Sequence, residues 1–299
     1  MKAILLLFAI IFSQSLILSK LNAPFFASIE DINRFASKKK LIKTLPNDPR
    51  KVRSRSSPKW LEAVGKMTSR ISTTEQEQCS LTLINDRPQK DGIIGITAGH
   101  CVDHWYIDLG KFDIGHNVIT FTSNSGKIIK RSIIEVLVTE MDSSVDYAIV
   151  KLDSSIARAD LKPLLHSPYH YSDLIHEDDF NEQFTSYATM VGFSADQGIG
   201  QKGRVMTYDE KCQLQGGARG LKKAYCHAYG GASGGAVVVT VALNEDTGDI
   251  YDDLQLAGTT QHFFVGSIVG GRVGDNSSKT MFTENTYYYS RLIKILAAH

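Results

Sequence analysis

From Cys79 onward, the chain consists of short runs of β-branched and apolar residues separated by turn residues. About ten such runs at this spacing predict an all-β fold, either a sandwich or a pair of barrels. An irregular stretch at 154–183 divides the runs into two groups, and apolar side chains at helical spacing predict a terminal helix at Ser290–Ala298. The predicted strands are Ser80–Ile84, Gly92–Ile96, Val118–Thr122, Ile133–Val138, Tyr147–Leu152, Tyr187–Phe193, Gly203–Thr207, Gly235–Leu243, His262–Val269 and Asn285–Tyr289.

Length and composition agree with a globular chain. The 299 residues correspond to two domain-sized units, which is enough chain to bury a sizeable core. Hydrophobic residues make up 42% and charged residues 22% of the chain, which excludes a disordered, collagenous or multi-span membrane protein.

The first residues have the pattern of an export signal. Lys2 precedes the apolar run Ala3–Phe12, and polar residues follow at Ser13–Ser15. We interpret residues 1–19 as a signal peptide, and the alternative is an uncleaved membrane anchor. The run is too short to span a bilayer comfortably. The pattern therefore predicts a protein that is secreted, or periplasmic in a Gram-negative bacterium, without a stable membrane span.

A strongly basic arm follows the signal. Residues 24–60 hold ten Lys or Arg against three acidic residues, whereas residues 61–299 hold 21 basic and 29 acidic residues. A helix is predicted at Ser28–Lys43, followed by a basic cluster at Arg50–Arg55. Residues 20–77 are interpreted as a leader. Three alternatives stay open for it: a pro-segment cut at the Arg-rich stretch, a polybasic arm for anionic surfaces, or a solvated linker.

Four cysteines provide for two disulfides in an oxidising compartment. Three pairings are possible, and the sequence-local pairing would place one disulfide in each half of the chain. The cysteines are Cys79, Cys101, Cys212 and Cys226.

Three motifs carry residues suited to hydrolysis. Nucleophilic catalysis by serine needs a base, an acid that orients the base, and backbone donors for the oxyanion. His100 ends the motif Thr-Ala-Gly-His, Asp146 opens an apolar strand, and Ser233 lies in the loop Gly-Ala-Ser-Gly-Gly. Taken singly, each also has a structural explanation: a core histidine, a turn aspartate and a chance glycine loop.

Together, in the order His100, Asp146, Ser233, the motifs resemble the chymotrypsin-like serine proteases, and more closely the secreted bacterial members than the digestive trypsins. The resemblance runs from about Cys79 to the C-terminus. It implies a protease domain at 78–299 with two six-stranded antiparallel β-barrels, at about 78–165 and 183–290, and a C-terminal helix. The active site would lie in the cleft between the barrels.

The resemblance also implies a role for each residue. His100 would be the general base, Asp146 its orienting acid and Ser233 the nucleophile that forms an acyl-enzyme. The amides of Gly231 and Ser233 would form the oxyanion hole. Cys79 would pair with Cys101 and hold the histidine loop.

Two departures from the family pattern matter. Ala232 stands before Ser233, where members activated by clipping carry an aspartate that pairs with the freed N-terminal amine, so activation by an inserted N-terminus is not expected. His227 stands where the family keeps the residue at the base of the specificity pocket. It would favour acidic or polar side chains over Lys and Arg; the alternative is that the alignment slips there and His227 is an ordinary surface residue.

The substrate-binding strand is placed at Val265–Gly271, with Ser267 and Gly270 as candidate contacts; Leu256–Gln261 is the alternative. The acidic segment Asn244–Asp253 is interpreted as a solvated hairpin tip rather than a Ca²⁺ loop. We expect a monomer that acts on a protein or peptide substrate and requires no cofactor, metal or nucleic acid.

Two rival functions remain. One is an α/β-hydrolase esterase that uses Gly231-Ala-Ser-Gly-Gly235 as a Gly-x-Ser-x-Gly elbow, although its catalytic order and alternating helices do not fit the pattern. The other is a catalytically silent protease-fold protein whose basic arm holds a polyanion.

Overall fold

The structure is a computed structural model that describes residues 44, 47–70, 76–102, 117–175, 184–217, 219–243, 260–271 and 279–299. The predicted signal peptide, the predicted helix Ser28–Lys43 and the acidic segment Asn244–Asp253 lie outside these residues. In the described part of the chain, no helix is both long enough and apolar enough to cross a membrane.

The described residues form mainly strands. α-Helices that are described in full are α1 (Tyr171–Leu174) and α2 (Tyr289–Ala298), and residues 100–102 are also helical. 3₁₀ helices lie at Lys59–Ala63, Gln201–Gly203 and Asn285–Tyr287. The strands are β1 (Lys51–Val52), β2 (Val64–Arg70), β3 (Gln76–Asn85), β4 (Gly92–Thr97), β5 (Asn117–Thr122), β6 (Ile128–Arg131), β7 (Ile133–Asp142), β8 (Val145–Ile156), β9 (Leu164–His166), β10 (Phe184–Gly192), β11 (Thr207–Gln215), β12 (Leu221–Tyr225), β13 (Ala236–Leu243), β14 (Thr260–Gly271) and β15 (Lys279–Glu284).

The first barrel is built from β2 to β8. The antiparallel pairs run β5–β2–β3–β4–β8–β7, and β6 pairs with the free side of β5. A single residue, Ser132, separates β6 from β7. The chain therefore changes partner at this corner, from β5 to β8, and closes the barrel as one bent strand.

The second barrel closes through strand pairing alone. The antiparallel pairs β10–β11, β11–β12, β12–β15, β15–β14, β14–β13 and β13–β10 form a complete ring of six strands. Short β9 runs parallel to both β3 and β14 and connects the two barrels. The predicted all-β class with antiparallel barrels and a C-terminal helix is confirmed.

Three apolar clusters follow from these pairings. Leu81 and Leu83, two residues apart on β3, point into the first barrel because strand side chains alternate between faces. Val237 and Val239 on β13 do the same in the second barrel. A third cluster lies between the barrels and buries the apolar side of α2. The groove between the barrels is thus bounded by packed cores.

Some predicted strands are wrong. Gly203–Thr207 is mostly a turn, because Lys202 and Gly203 have positive φ values of 59° and 71°, which a strand does not allow. Asn285–Tyr289 is a 3₁₀ turn leading into α2. No strand was predicted for β1, β2, β6, β9, β11, β12 or β15. In β2 and β12, half-buried lysines interrupt the apolar alternation.

The basic arm is partly integrated into the fold. β1 pairs with β11, and β2 pairs with β3 and β5, so residues on the N-terminal side of position 78 belong to both barrels. The physical reason is barrel closure: without β2, strands β3 and β5 would each lose a hydrogen-bonded neighbour.

Candidate active site

His100 and Asp146 meet at the edge of the first barrel. His100 follows the turn residue Gly99 after β4 and begins the helical residues 100–102, and Asp146 is the second residue of β8. The Nδ1 atom of His100 is 2.6 Å from Oδ2 of Asp146, and the His100 amide donates to Oδ1 at 3.0 Å. A carboxylate on Nδ1 favours the tautomer with its proton there, which leaves Nε2 as an acceptor. Both side chains are buried.

The glycine of the Thr-Ala-Gly-His motif permits this approach. A Cβ atom on Gly99 would lie 3.0 Å from Oδ1 of Asp146 and 3.1 Å from the carbonyl oxygen of Glu140. A larger residue would therefore push the histidine turn away from β8.

Thr283 of the second barrel fixes the backbone of Asp146. Its Oγ1 atom accepts the Asp146 amide hydrogen at 3.0 Å and donates to the Asp146 carbonyl at 2.9 Å. Thr283 is fully buried. This one hydroxyl holds the acid in place across the groove between the barrels.

The serine loop packs against the outward face of β3. The Ser80 amide donates to the Ser233 carbonyl at 2.7 Å, and the hydroxyls of Ser80 and Thr82 donate to the carbonyls of Gly231 and Gly234 at 2.9 and 3.1 Å. The Cys101 sulfur lies 4.0 Å from the Ser233 carbonyl oxygen. The alternation of β3 thus supplies both the apolar face of the first barrel and the polar contacts of the serine loop.

The Ser233 hydroxyl donates to the carbonyl of Val269 at 2.9 Å. Val269 is the extra residue of a β-bulge in β14, between Ile268, which pairs with Phe282, and Gly270, which pairs with Met281. A bulged residue is released from the ladder, so its carbonyl can face a site. In this conformation the hydroxyl proton of Ser233 points at β14.

Two amides near Ser233 point away from their own loop. The Gly230 carbonyl accepts the Ala195 amide at 2.7 Å, and the Ala232 carbonyl accepts the Gly235 amide at 2.8 Å. In a trans peptide the N–H points opposite to the C=O, so the N–H groups of Gly231 and Ser233 face the other side. Neither amide donates a hydrogen bond to another described residue. Gly231 has a φ of 91°, which favours glycine.

A buried charge cluster lies behind this loop. The Arg50 guanidinium donates to Asp48 at 2.7 Å and to Asp196 at 2.9 Å, and the three side chains are at most 1% exposed. Burial alone would lower the pKa of Arg50, but the hydrogen bonds with the two aspartates raise it above its ordinary value. The guanidinium also lies over the Tyr229 ring, 4.2 Å from its centroid.

His227 pairs with Asp209 of β11. Its amide donates to Oδ2 of Asp209 at 2.9 Å, and its Nδ1 atom is 3.4 Å from the same oxygen. Burial raises the pKa of Asp209, although the His227 contacts oppose the rise. The imidazole is 17% exposed, so this pair combines a buried carboxyl group with a partly accessible ring.

Glu77 of β3 is a half-buried residue whose carboxyl group interacts electrostatically with His100. Burial raises its pKa to about 7, and the charge of His100 acts in the opposite direction. A carboxyl group with a pKa in this range titrates near neutral pH, so its charge affects how stability and activity depend on pH there.

One His and Cys cluster has the spacing of metal ligands. Ligand atoms of Cys79, His100 and Cys101 lie within 4.8 Å of one another. The two sulfur atoms, however, are joined in a disulfide, and a thiolate is the form that binds metals. This trio is therefore a structural support for the histidine turn. The second disulfide joins Cys212 to Cys226, which completes the sequence-local pairing.

The other predicted contacts lie on β14. Ser267 is fully buried between Ala236 and Thr283, so it does not line an open edge. Gly270 follows the bulge directly. The alternative strand begins at 256, and its residues 256–259 lie outside the described residues.

Several residues of the site escaped sequence analysis. Val269 contributes a backbone carbonyl, and Thr283 and Arg50 act across 137 and 146 residues of chain. The one available signal was Asp48, an acid inside the basic arm and two residues before Arg50.

Comparisons with known proteins agree with the fold. No protein-family model and no curated protein matches the sequence. Among solved structures, the crystal structure of the scabies mite inactivated protease paralogue S-I1 matches with a TM-score of 0.54 and 14% identity, covering 83% of this chain and 100% of that chain. At this identity the likeness concerns the fold, which is chymotrypsin-like.

Proposed function

We propose that this protein is a secreted serine endopeptidase. The observation that carries the proposal is the arrangement around Ser233: two outward-facing amides flank it, and a neighbouring histidine is held by a buried carboxylate at 2.6 Å. The chymotrypsin-like fold supports the same assignment.

The proposed reaction assigns one step to each of these groups. Ser233 gives its proton to Nε2 of His100 as its oxygen attacks the substrate carbonyl. Asp146 stabilises the imidazolium that forms, and the amides of Gly231 and Ser233 stabilise the oxyanion. His100 then returns the proton to the leaving amine, and water hydrolyses the acyl-enzyme by the same route.

In this scheme the Val269 carbonyl would accept a hydrogen bond from the substrate. It faces Ser233 in the free enzyme, and a substrate amide that donated to it would release the serine hydroxyl. Substrate binding would thus free the nucleophile, because the carbonyl would exchange one donor for another. Catalytic hydrogen bonds of this kind often form only in the substrate complex.

Labelling with a fluorophosphonate tests the proposal. The mature protein should be labelled at Ser233 and should hydrolyse casein, whereas Ser233→Ala should show neither activity and should unfold like the wild type. Asp146→Asn should lower turnover about 10⁴-fold. A folded wild-type protein that is not labelled would contradict the proposal and favour the silent binding protein.

The hydrolase rival can be judged on architecture. An α/β-hydrolase needs a mainly parallel sheet flanked by alternating helices, whereas the described strands form antiparallel barrels and do not alternate with helices. The alternative of a catalytically silent protein is supported by one protein of similar fold, the scabies mite paralogue, which is described as inactivated. Here all three residues of the proposed triad are present.

For specificity, we infer that His227 forms the base of the primary pocket. Asp209 occupies one edge of the imidazole, so Nε2 is the atom left for a substrate. A substrate carboxylate would stabilise the imidazolium, and a substrate cation would repel it. A peptide-library cleavage profile should show acidic or polar residues before the cut bond. A strong preference for Lys or Arg would overturn this role of His227.

Export is part of the same proposal. Two disulfides in the structure fit an oxidising compartment, and residues 1–19 have the pattern of a signal peptide. N-terminal sequencing of the protein recovered from the culture medium or periplasm tests removal of the signal. It also locates any further cut that would mark a zymogen.

A further inference from the structure

Residues 47–53 of the basic arm are bound to the second barrel. β1 pairs with β11 through Lys51–Tyr208 and Val52–Thr207, and the Arg53 amide donates to the Met206 carbonyl at 3.0 Å. Arg50 points inward from this segment. The arm therefore buries the side chain of Arg50 against the second barrel, next to the serine loop.

Arg50 contacts both segments that orient the Gly230–Gly231 peptide. On one side it donates to Asp196, and Ala195, the neighbour of Asp196, donates its amide to the Gly230 carbonyl. On the other side its guanidinium covers the ring of Tyr229, the residue before Gly230. The Ala195–Gly230 hydrogen bond turns the Gly231 amide outward. Arg50 therefore contacts the sequence neighbour of each residue that forms this bond.

Further contacts close the cluster. The Tyr229 hydroxyl donates to Asp48 at 3.1 Å, and Asp48 receives three guanidinium contacts and the amide of Arg50 itself. Asp196 also accepts the Gly200 amide at 3.1 Å and the Thr44 hydroxyl at 2.6 Å. A planar guanidinium can hold two carboxylates in fixed directions, which a point charge cannot do.

We propose that Arg50 is a positioning residue for the oxyanion hole, and that residues 47–53 are a permanent part of the active enzyme. The proposal rests on the proposed peptidase function and names what holds one element of that site in place. Ala232 has no charge to pair with a freed N-terminal amine, and the arm supplies a buried cation to this region without any cut.

Processing within the basic cluster then has a defined consequence. A cut between Arg50 and Arg55 would separate Arg50 from the body of the chain, so it would inactivate the enzyme. Any maturation that preserves activity must cut before the described segment that begins at residue 47.

The test compares two arginines of the same arm in the full chain. Arg50→Met removes the cluster cation. Arg53→Met is the matched control, because Arg53 bonds to the Thr122 carbonyl and to Asn124 of the first barrel, away from the serine loop. Arg50→Lys keeps the charge without the planar fork, and Tyr229→Phe removes the hydroxyl that donates to Asp48 while keeping the ring.

We expect Arg50→Met to lower kcat by about 10²-fold, the scale of one lost oxyanion donor, with KM changed only a few-fold. Binding of a peptide boronate, which forms a tetrahedral adduct, should weaken in proportion. Arg50→Lys should recover part of kcat, and Arg53→Met should keep the wild-type kcat. If Arg50→Met does not fold, a several-fold loss of kcat in Tyr229→Phe supports the proposal, and an unchanged kcat overturns it.

Amide hydrogen exchange provides a readout that needs no activity. Exchange in the peptide spanning 227–235 should accelerate in Arg50→Met and stay unchanged in Arg53→Met. Equal exchange and equal kcat in the two variants would overturn the proposal. If the wild type proves inactive while Arg50→Met still loosens this loop, the peptidase function fails and the positioning of the loop by Arg50 stands.

Discussion

Two half-buried groups, Glu77 and His262, should give opposite pH dependences of stability. Burial raises the pKa of Glu77 from 4.5 to about 7 and lowers the pKa of His262 from 6.5 to about 4. Glu77 lies on β3 of the first barrel, and His262 lies on β14 of the second, beside Trp60. The two titrations belong to different barrels and can be separated by mutation.

The signs follow from proton binding. The folded state keeps Glu77 protonated, so its contribution is present below pH 4.5 and is lost as pH rises to about 7. The folded state keeps His262 neutral, so its contribution is present above pH 6.5 and is lost as pH falls to about 4. At about 1.4 kcal/mol per pKa unit, each contribution amounts to roughly 3 kcal/mol. In the wild type the two slopes largely cancel.

Single substitutions should expose each slope. Glu77→Gln should leave a free energy of unfolding that rises by roughly 3 kcal/mol between pH 4 and 6.5, and His262→Gln should leave one that falls by a similar amount between pH 4.5 and 7. The double variant should lose both of these contributions to the pH dependence. Urea unfolding, followed by tryptophan fluorescence in a Ser233→Ala background that prevents autolysis, measures these values. Slopes of the same sign in the two single variants would refute the reasoning.

Three further predictions concern the site. Thr283→Val leaves the buried amide and carbonyl of Asp146 without their hydroxyl partner, so urea unfolding should show a loss of about 2 kcal/mol or more, and Thr283→Ser should restore it. Gly231→Ala places a Cβ atom 2.6 Å from the Phe193 carbonyl at a φ of 91°, so turnover should fall about 10²–10³-fold; wild-type turnover would contradict the assigned amide. Replacing Cys79 and Cys101 by alanine opens a loop with a sequence separation of 22. The free energy of unfolding should fall by about 3 kcal/mol, and turnover should fall too. An unchanged denaturation midpoint would argue against the stabilising role of this disulfide.

The features that could be predicted from sequence are local ones. Strands such as β4 and β8 are continuous apolar runs, because their two faces contact a barrel core and the cluster between the barrels. The three chemical motifs lie at the ends or starts of such runs, where turn residues mark them. Disulfide partners were also close in sequence.

Strands that carry polar side chains were harder to identify. β12 reads Leu-Lys-Lys-Ala-Tyr, and only Leu221 and Ala224 of it are buried. Consecutive strand residues point to opposite faces, so only Lys223 lies on the outer side of the ring. Lys222 shares a face with Ala224 and is tolerated there because its ammonium group lies 3.6 Å from the carboxylate of Glu284. Their pairing with β11 and β15 is fixed by closure of the barrel, and closure is a property of the whole chain.

The support of the site was hidden for a different reason. Thr283 and Val269 act through backbone groups or through a hydroxyl that any threonine possesses. Their function arises from register: a one-residue bulge in β14 turns the Val269 carbonyl toward Ser233. Residue identity carries no mark of this geometry.

The structure changes how the positive charge of the basic arm is interpreted. A count treats each Lys and Arg of residues 24–60 as solvated, which favours a polyanion partner or an exposed cleavage site. Arg50 instead lies between two aspartates, and Arg53 spans toward the first barrel. Removing a buried cation from such a cluster leaves uncompensated carboxylates, a loss of about 3–5 kcal/mol. The arginines at 50 and 53 therefore act as internal connections between the arm and the barrels, and the charge count of the arm cannot be read as a count of solvated cations.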